Sequence, residues 1–261
     1  MRKPYIIYAP PYSSLSAGIK ALHMLNDALN ADGYLSITLP MGVAESINVD
    51  PEAIVIYPEI VVGNPLNAKH VVRWLLYYAG RYRGNRDFPD TDLCVGYTKL
   101  IAKDFGTNAV LFLPTVDETV FTPPPYGTIR KGSCFYAHKH RTFYGSTINP
   151  DMAGTEITNP GQSRDEIIRI LQTSEVMFAY EDTAMIIEAV LCGCPVVCVP
   201  SPQWPECCGM EDFSAGIAWG MDEYNEAKRT LPDARKHYAD LKEGFKVQLR
   251  EFIERTQAWS Q

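Results

Sequence analysis

The size and composition of the chain are those of an ordinary globular protein. It has 261 residues, of which 46% are hydrophobic and 21% charged, enough apolar mass for a substantial core, which excludes disordered and fibrous proteins. Lys and Arg number 24 against 31 Asp and Glu, so the formal net charge is -7 and a broadly basic surface for a nucleic-acid backbone is absent. We therefore expect no nucleic-acid partner, and any bound polyanion has to meet a local basic patch.

The sequence shows no signal peptide and no disulfide framework, and we therefore predict a cytoplasmic protein. The apolar run Tyr5–Ala9 is too short for a signal peptide, and no window approaches the roughly 20 apolar residues of a membrane span. The seven cysteines are odd in number and lack the paired spacing of a secreted disulfide framework. We expect a cytoplasmic location, with peripheral association at the inner face of the membrane as the alternative setting.

Strand and helix patterns alternate through the first half of the chain, which is typical of a parallel sheet with crossover helices. In chain order, the patterns predict a strand at Tyr5–Ala9, a helix over 19–29 closed by Gly33, a strand at 53–57, a helix at 66–79 closed by Gly80, and strands at 93–97 and 109–113. Asn64 and Pro65 are expected to begin the second helix as its cap and first residue.

A proline-rich stretch divides the chain. Pro114 is followed by the run Pro123-Pro124-Pro125, through which neither a helix nor a strand continues. The pattern then restarts, with strands predicted at 133–137, 175–180 and 195–199, helices at 165–173 and 183–192, and a long amphipathic helix from 232 onward. We therefore predict an α/β fold with two domains, 1–122 and 123–261, and expect the final helix to pack back on the first domain.

Two glutamates around the predicted helix at 183–192 have the clearest chemical meaning. Glu181 opens this helix and Glu188 lies two turns later on nearly the same face, so both carboxylates can reach one ligand. Thr183, with the N–H groups of the first turn, could hold a phosphate. The alternative is that Glu181 and Asp182 only complement the helix dipole while Glu188 is a surface residue.

Motifs that identify other α/β enzymes are absent from the sequence. There is no G-x-G-x-x-G after the first strand, no P-loop motif and no G-x-S-x-G, which argues against dinucleotide dehydrogenases, P-loop enzymes and α/β-hydrolases. The nearest approach to a D-x-D metal motif is Asp90-Thr91-Asp92 in a polar turn. Cys192, Cys194 and Cys198 are expected to be buried small residues, not zinc ligands.

The glutamate element resembles the donor-binding element of GT-B glycosyltransferases of the group 1 (family 4-like) type. Their signature has two glutamates across a loop and helix, the second within E-A-x-x-x-G-x-P-V, which matches the chain from Glu188 to Val196. The two glutamates are seven positions apart here, one fewer than the family's usual spacing. The V-D-x-x-x-F pattern from Val116 to Phe121 is also similar to the motif with which the family leaves its N-terminal domain. The resemblance implies two Rossmann-like domains facing across a cleft.

Residue by residue, the resemblance implies a donor site in the second domain. Glu188 would bind the ribose hydroxyls of a nucleotide sugar, Glu181 would face the donor sugar, and Thr183 with its neighbour Asp182 would approach the diphosphate. The family places a basic pair after the first strand of this domain, and the matching run is His138-Lys139-His140-Arg141. Lys139 is the expected phosphate contact and Arg141 the second; the alternative is a solvated loop. With these cations no metal and no cofactor are required.

The acceptor is expected to bind the first domain. The candidates there are the loop at 12–18, which ends at Gly18, and the segment that begins with Glu59 after the strand at 53–57. Glu59 either acts as a general base or binds acceptor hydroxyls; the alternative is a turn carboxylate that caps the next helix. His70 and Arg73 are expected on one face of that helix, with Arg73 at the surface.

The function predicted from these residues is glycosyl transfer. The substrates would be a nucleotide sugar and a glycan or lipid-linked acceptor, in the synthesis of a cell-surface polysaccharide. Two alternatives remain at this point. One is a sugar-nucleotide epimerase on the same two-domain plan, and the other is a nucleotide- or glycan-binding module without activity.

Overall fold

The chain folds into two compact units. The computed structural model describes residues 2–42, 49–158, 161–204 and 212–259. Unit 1 comprises Met1–Thr115 and Leu241–Gln261, and unit 2 comprises Val116–Asp240. The boundary predicted after residue 122 falls inside unit 2, because Phe121 is buried and the backbone N–H of Val116 donates to the Tyr238 hydroxyl at 2.8 Å.

A parallel five-stranded sheet forms the centre of unit 1, in the order β2-β1-β3-β4-β5. Its strands are β1 (Tyr5–Ala9), β2 (Ser36–Pro40), β3 (Ile54–Pro58), β4 (His70–Leu75) and β5 (Leu93–Gly96), and its first two helices are α1 (Ala17–Ala31) and α2 (Lys99–Phe105). Every residue of β1, β3 and β4 is buried, as expected for parallel strands covered on both faces.

Helix α1 confirms the helix predicted from apolar spacing. The Ser16 hydroxyl caps its start by accepting from the backbone N–H of Ile19 at 3.3 Å. Leu22, Leu25 and Leu29 are fully buried against the sheet. Gly33 follows the helix with φ of +80°, a conformation that glycine adopts without strain, so the chain turns there into β2.

The helix predicted at 66–79 is wrong, because this segment contains strand β4. Asn64 does not begin a helix: its side chain closes a turn by accepting from the backbone N–H of Ala68 at 3.0 Å. The run from His70 to Leu75 is buried at each position, and its β-branched valines favour the pleated sheet. The polar residue Arg73 makes the segment resemble an amphipathic helix in sequence, although its side chain is buried within the unit.

Unit 1 differs from the predicted elements in three further places. The strand predicted at 109–113 is reduced to an isolated bridge between Gly96 and Val110. Strand β2 and helix α2 were not predicted. Helix α2 begins at a Thr98 cap and ends at Gly106, whose φ is +95°.

Unit 2 contains a second parallel five-stranded sheet, in the order β10-β9-β8-β6-β7. Its strands are β6 (Ser133–Tyr136), β7 (Thr155–Glu156), β8 (Val176–Ala179), β9 (Val196–Cys198) and β10 (Ile217–Trp219), and the helices that follow α2 are α3 (His138–Thr142), α4 (Arg164–Thr173), α5 (Met185–Leu191), α6 (Tyr224–Thr230) and α7 (Ala234–Gln257). The predicted strands β6, β8 and β9 and helices α4, α5 and α7 are confirmed, while β7, β10, α3 and α6 were not predicted. The predicted α/β fold with two parallel sheets is therefore confirmed.

Helix α7 begins in unit 2 and ends in unit 1. In unit 1 its residues Leu249, Phe252 and Ile253 join the core formed by β1, β3 and α1. Near its end, the hydroxyls of Thr256 and Tyr5 form a buried hydrogen bond of 2.7 Å. The expected packing of the final helix on the first sheet is confirmed. Across the described ranges, no helix combines the length and the apolar character needed to cross a membrane.

The two sheets share one strand order. In each unit the second strand in the chain lies outside the first, and the third strand lies on the other side of the first. The direction of winding therefore reverses between β1 and β3 in unit 1 and between β6 and β8 in unit 2. Open α/β sheets bind ligands at the carboxyl ends of the strands at such switch points, so these two edges are the first places to examine for a site.

Candidate functional site

The switch point of unit 2 brings the basic run and the first glutamate together. Strands β6 and β8 pair in parallel, with Tyr136 opposite Ala179, and the backbone N–H of Tyr180 donates to the Tyr136 carbonyl at 3.0 Å. The chain then leaves β6 into helix α3 and leaves β8 into Glu181. The segment 138–141 is therefore not a loop, as the solvated alternative required, but the start of a short helix at this edge.

The Glu181 carboxylate binds three donors at the start of α3. Its Oε2 accepts from the backbone N–H of Lys139 and from that of His140, the latter at 3.0 Å. Its Oε1 accepts from Lys139 Nζ at 3.1 Å. Glu181 is only 3% exposed, so the carboxylate is directed into the protein and joins the end of β8 to the start of α3.

The Lys139 ammonium has a second fixed acceptor. Besides the carboxylate of Glu181, Nζ donates to the backbone carbonyl of Asp182 at 2.7 Å. The side chain of Lys139 is 26% exposed. The structure thus brings three of the predicted site residues into direct contact, and part of the Lys139 side chain is exposed.

Thr183 and Glu188 lie on the segment that continues from Asp182. Helix α5 begins at Met185, two residues later than predicted, and the Thr183 hydroxyl accepts from the backbone N–H of Met185 at 3.3 Å. Glu188 is half-buried one turn into this helix. Thr183 therefore lies before the helix and supports its first turn.

Tyr136 is a site residue that the sequence did not reveal. It is the buried last residue of β6, and its pKa is raised by burial and then by the negative charges of Glu181 and Glu188. The charges of both carboxylates therefore act on this tyrosine at the edge of the sheet. Its position directly before the basic run is the sequence signal that could have indicated it.

Arg141 binds a residue of β7 in unit 2, away from Glu181. Its guanidinium makes two hydrogen bonds to the Glu156 carboxylate on β7, at 2.6 and 2.8 Å, and lies over the Phe135 ring. Both partners of this ion pair are exposed, so it contributes little to stability. The structure therefore directs Arg141 toward β7 and Lys139 toward β8.

At the switch point of unit 1, Glu59 follows β3 directly. It is 5% exposed, and its carboxylate accepts from the backbone N–H groups of Leu76, at 2.9 Å, and Tyr77. Burial raises the pKa of Glu59 to about 7, although the backbone hydrogen bonds oppose this effect. The alternative role of capping the next helix is wrong because β4 stands in place of that helix, and Glu59 instead binds the chain that leaves β4.

Gly18 lies beside the segment that Glu59 binds. It is in the first turn of α1, where a Cβ would be 3.6 Å from the Leu76 side chain. The Leu76 side chain thus lies beside the position that a Cβ of residue 18 would take, and the Leu76 backbone N–H donates to Glu59. Two residues that the sequence predicted separately are brought to the same edge of the sheet.

Arg73 and His70 do not share a helix face, because both lie in β4. The Arg73 guanidinium is fully buried and donates to Asp92 at 2.7 Å and to the carbonyls of Val61 and Gly63. The expected surface position of Arg73 is therefore wrong: it fixes the chain that follows Glu59. His70 is buried at the other end of the strand, stacked on Trp259.

No metal centre is evident in the part of the chain that the structure describes, where no group of three His, Cys, Asp or Glu residues is arranged to bind an ion. Asp92, from the nearest D-x-D pattern, is paired with Arg73. Cys192, Cys194 and Cys198 are fully buried, as expected for small core residues, and Cys207-Cys208 lies outside the described residues.

Comparisons with known proteins give structural neighbours only. No family model and no curated protein matches the chain. It is similar to an alpha-glucosyltransferase in complex with UDP and a 13-mer DNA containing an HMU base, with 10% sequence identity, a TM-score of 0.49 and 95% of each chain covered. It is also similar to CalG4, the calicheamicin glycosyltransferase, with 11% identity, a TM-score of 0.39, and 99% of this chain and 98% of that chain covered. With identity this low, the functional evidence for this chain lies in its own residues.

Proposed function

We propose that this protein is a glycosyltransferase that moves a sugar from a nucleotide sugar to a glycan or lipid-linked acceptor. One observation carries the proposal: at the switch point of unit 2, Lys139, Glu181 and Asp182 meet at the carboxyl edge of a parallel sheet, with Thr183 and Glu188 on the segment that follows. The motif resemblance around these residues is the second support. A role in cell-surface polysaccharide synthesis, in the cytoplasm or at the inner face of the membrane, is part of the proposal.

The proposed chemistry needs a cation where the diphosphate leaves. When a sugar is transferred from a nucleotide sugar, positive charge develops on the anomeric carbon and negative charge moves to the diphosphate. The Lys139 ammonium is the proposed contact for that charge, because two protein acceptors fix its position before the donor arrives and part of its side chain is exposed. With this cation in place the proposal requires no metal and no cofactor.

Other residues are proposed to bind the remaining parts of the donor and the acceptor. Glu188 is proposed to bind the ribose hydroxyls, and Thr183 to approach the diphosphate. In unit 1, Glu59 is proposed to take the proton of the acceptor hydroxyl, since a carboxyl with a pKa of about 7 is suited to general-base catalysis near neutral pH. Glu59 is 5% exposed, so the hydroxyl has to displace the backbone N–H of Leu76 or Tyr77, neither of which is a cation. Gly18 leaves room beside Leu76 at that edge, where the absence of a side chain favours close approach of an acceptor.

The test combines donor binding with turnover. Purified protein is titrated with UDP, GDP, CMP and ADP sugars, and sugar release and transfer are followed for the wild type, Lys139→Ala and Glu188→Ala. Glu226→Gln is a matched control, because Glu226 is exposed in α6 and paired only with its helix neighbour Arg229 among the contacts of the described chain. We expect both site variants to weaken donor binding about tenfold or more, while the control binds like the wild type.

Three results would contradict the proposal in different ways. Unchanged donor affinity and turnover in both site variants would show that the site lies elsewhere. An isomerised sugar formed without any acceptor would identify an epimerase. Tight nucleotide binding with neither transfer nor donor hydrolysis would identify a binding module.

A further inference from the structure

The role implied for Glu181 by the motif resemblance, a contact with the donor sugar, requires an accessible carboxylate oxygen. In the structure both oxygens are already used: Oε2 by the two backbone N–H groups of α3 and Oε1 by Lys139 Nζ. With only 3% of the residue exposed, little of the carboxylate is left to meet a ligand. A sugar hydroxyl would have to displace one of these charge-assisted hydrogen bonds.

We propose that Glu181 is a positioning residue that acts through Lys139, and that it does not touch the donor sugar. This inference rests on the proposed function, because it takes Lys139 as the contact for the diphosphate. Glu181 joins β8 to α3 and holds the ammonium at the switch point, with the Asp182 carbonyl as the second acceptor.

Helix α3 gives the ammonium a rigid base. The buried His140 ring lies against Tyr180, with ring centroids 5.1 Å apart, and its Nε2 is 3.2 Å from the Thr147 carbonyl. The five-residue helix has no side-chain cap of its own, so the carboxylate of Glu181 supplies the acceptor that its first N–H groups need.

A fixed ammonium binds a diphosphate better than a mobile one, because less side-chain freedom is lost on binding. The carboxylate also has an opposing effect, since its negative charge beside Lys139 repels the phosphates. The two effects predict opposite results when the charge is removed. If positioning dominates, neutralising Glu181 weakens phosphate binding; if repulsion dominates, it strengthens it.

The test measures binding of a nucleoside diphosphate that carries no sugar. Calorimetry with UDP, GDP, ADP and CDP identifies the one that wild type binds best, and its affinity is then measured for Glu181→Gln, Lys139→Met and the double variant, with Glu226→Gln as the matched control. We expect each single substitution to weaken binding about tenfold. We expect the double variant to bind no more weakly than the singles, because both remove one shared interaction.

A second variant separates charge from geometry and guards against poor folding of Glu181→Gln. Glu181→Asp keeps the negative charge but is one methylene shorter, so its carboxylate cannot reach the N–H groups of α3 and Lys139 Nζ together. We expect it to weaken diphosphate binding by at least several-fold. A purely structural role would lower the melting temperature of either variant and leave the affinity of the folded protein unchanged.

The possible failures are distinguishable. If Glu181→Gln leaves the affinity for the nucleoside diphosphate unchanged or raises it, while Lys139→Met lowers it, the positioning role is overturned and the proposed function stands. If Glu181→Gln impairs only the nucleotide sugar and not the diphosphate, Glu181 contacts the sugar and the inference is again overturned. If wild type binds none of the four diphosphates, the proposed function fails and the inference fails with it.

Discussion

The substitution Glu59→Gln replaces a buried carboxyl with a neutral amide of nearly the same shape. In the folded protein, burial raises the pKa of Glu59 from 4.5 to about 7. The glutamine oxygen can still accept from the backbone N–H of Leu76. A changed hydrogen bond to the backbone N–H of Tyr77 adds a difference that does not depend on pH, so the pH-dependent difference between the two proteins reports whether residue 59 titrates.

The raised pKa makes the stability of unit 1 depend on pH. The folded state holds the proton of Glu59 more tightly than the unfolded chain does, so the stabilising effect is fully present below the unfolded pKa of 4.5 and is lost as the pH rises through about 7. The difference between a pKa of 4.5 and a pKa of about 7 corresponds to about 3 kcal/mol. Relative to Glu59→Gln, we expect the wild type to lose about 3 kcal/mol of unfolding free energy between about pH 4.5 and about pH 8.

Urea unfolding at a series of pH values measures this difference, with hydrogen exchange in β3 and β4 as a probe specific to unit 1. Glu254→Gln serves as the control, since Glu254 is exposed on α7 in the same unit. The control should follow the wild type at every pH. If the free-energy difference between wild type and Glu59→Gln stays constant across this range, Glu59 does not titrate near neutral pH, and the assignment of a general base loses its support.

Three further substitutions test the packing around the sites. Arg73→Met leaves the Asp92 carboxylate buried without its partner and should cost about 3–5 kcal/mol in urea unfolding, whereas a loss under about 1 kcal/mol would mean that the ion pair is dispensable. Tyr5→Phe removes the buried hydrogen bond to Thr256 and should lower the unfolding free energy by about 1 kcal/mol; no change would show that α7 is held by apolar contacts alone. Gly216→Ala places a Cβ at φ of +79° and within 2.9 Å of Val190 Cγ1, so we expect a loss of about 1–3 kcal/mol by thermal unfolding, and an unchanged melting temperature would contradict the close packing.

The sequence predicted the elements whose pattern has one physical explanation. Strand β1 is an uninterrupted apolar run, and α1 has a serine cap, a stripe of leucines and a closing Gly33, so local and tertiary preferences agree. The segment at 66–79 fits both a helix pattern and a buried-strand pattern. Its apolar residues fit a helix if Arg73 is exposed and fit a buried strand if Arg73 is paired, and only the tertiary partner Asp92 decides between them.

The candidate site was predictable as a set of residues but not as a set of contacts. The carboxyl ends of parallel strands share one edge, so a sequence that predicts β6 and β8 also places Lys139 and Glu181 at the same edge. Which group binds which cannot be derived from strand order, since it depends on the direction of each side chain after the strand ends. The helical conformation of 138–142 presents its N–H groups to Glu181, and no cap in the sequence indicated that helix.

Glu59 and Glu181 occupy corresponding positions, each just after the third strand of its unit, and each carboxylate accepts from backbone N–H groups beyond a neighbouring strand. Their electrostatic surroundings differ. Glu181 has the ammonium of Lys139 at 3.1 Å, whereas no ion pair to Glu59 is present within the described ranges. The carboxylate of Glu181 holds that cation in place, while burial without a cation raises the pKa of Glu59 to about 7. In the proposed function, the same strand order therefore supports two chemical tasks: unit 1 accepts a proton through Glu59, and unit 2 holds the Lys139 ammonium for a phosphate.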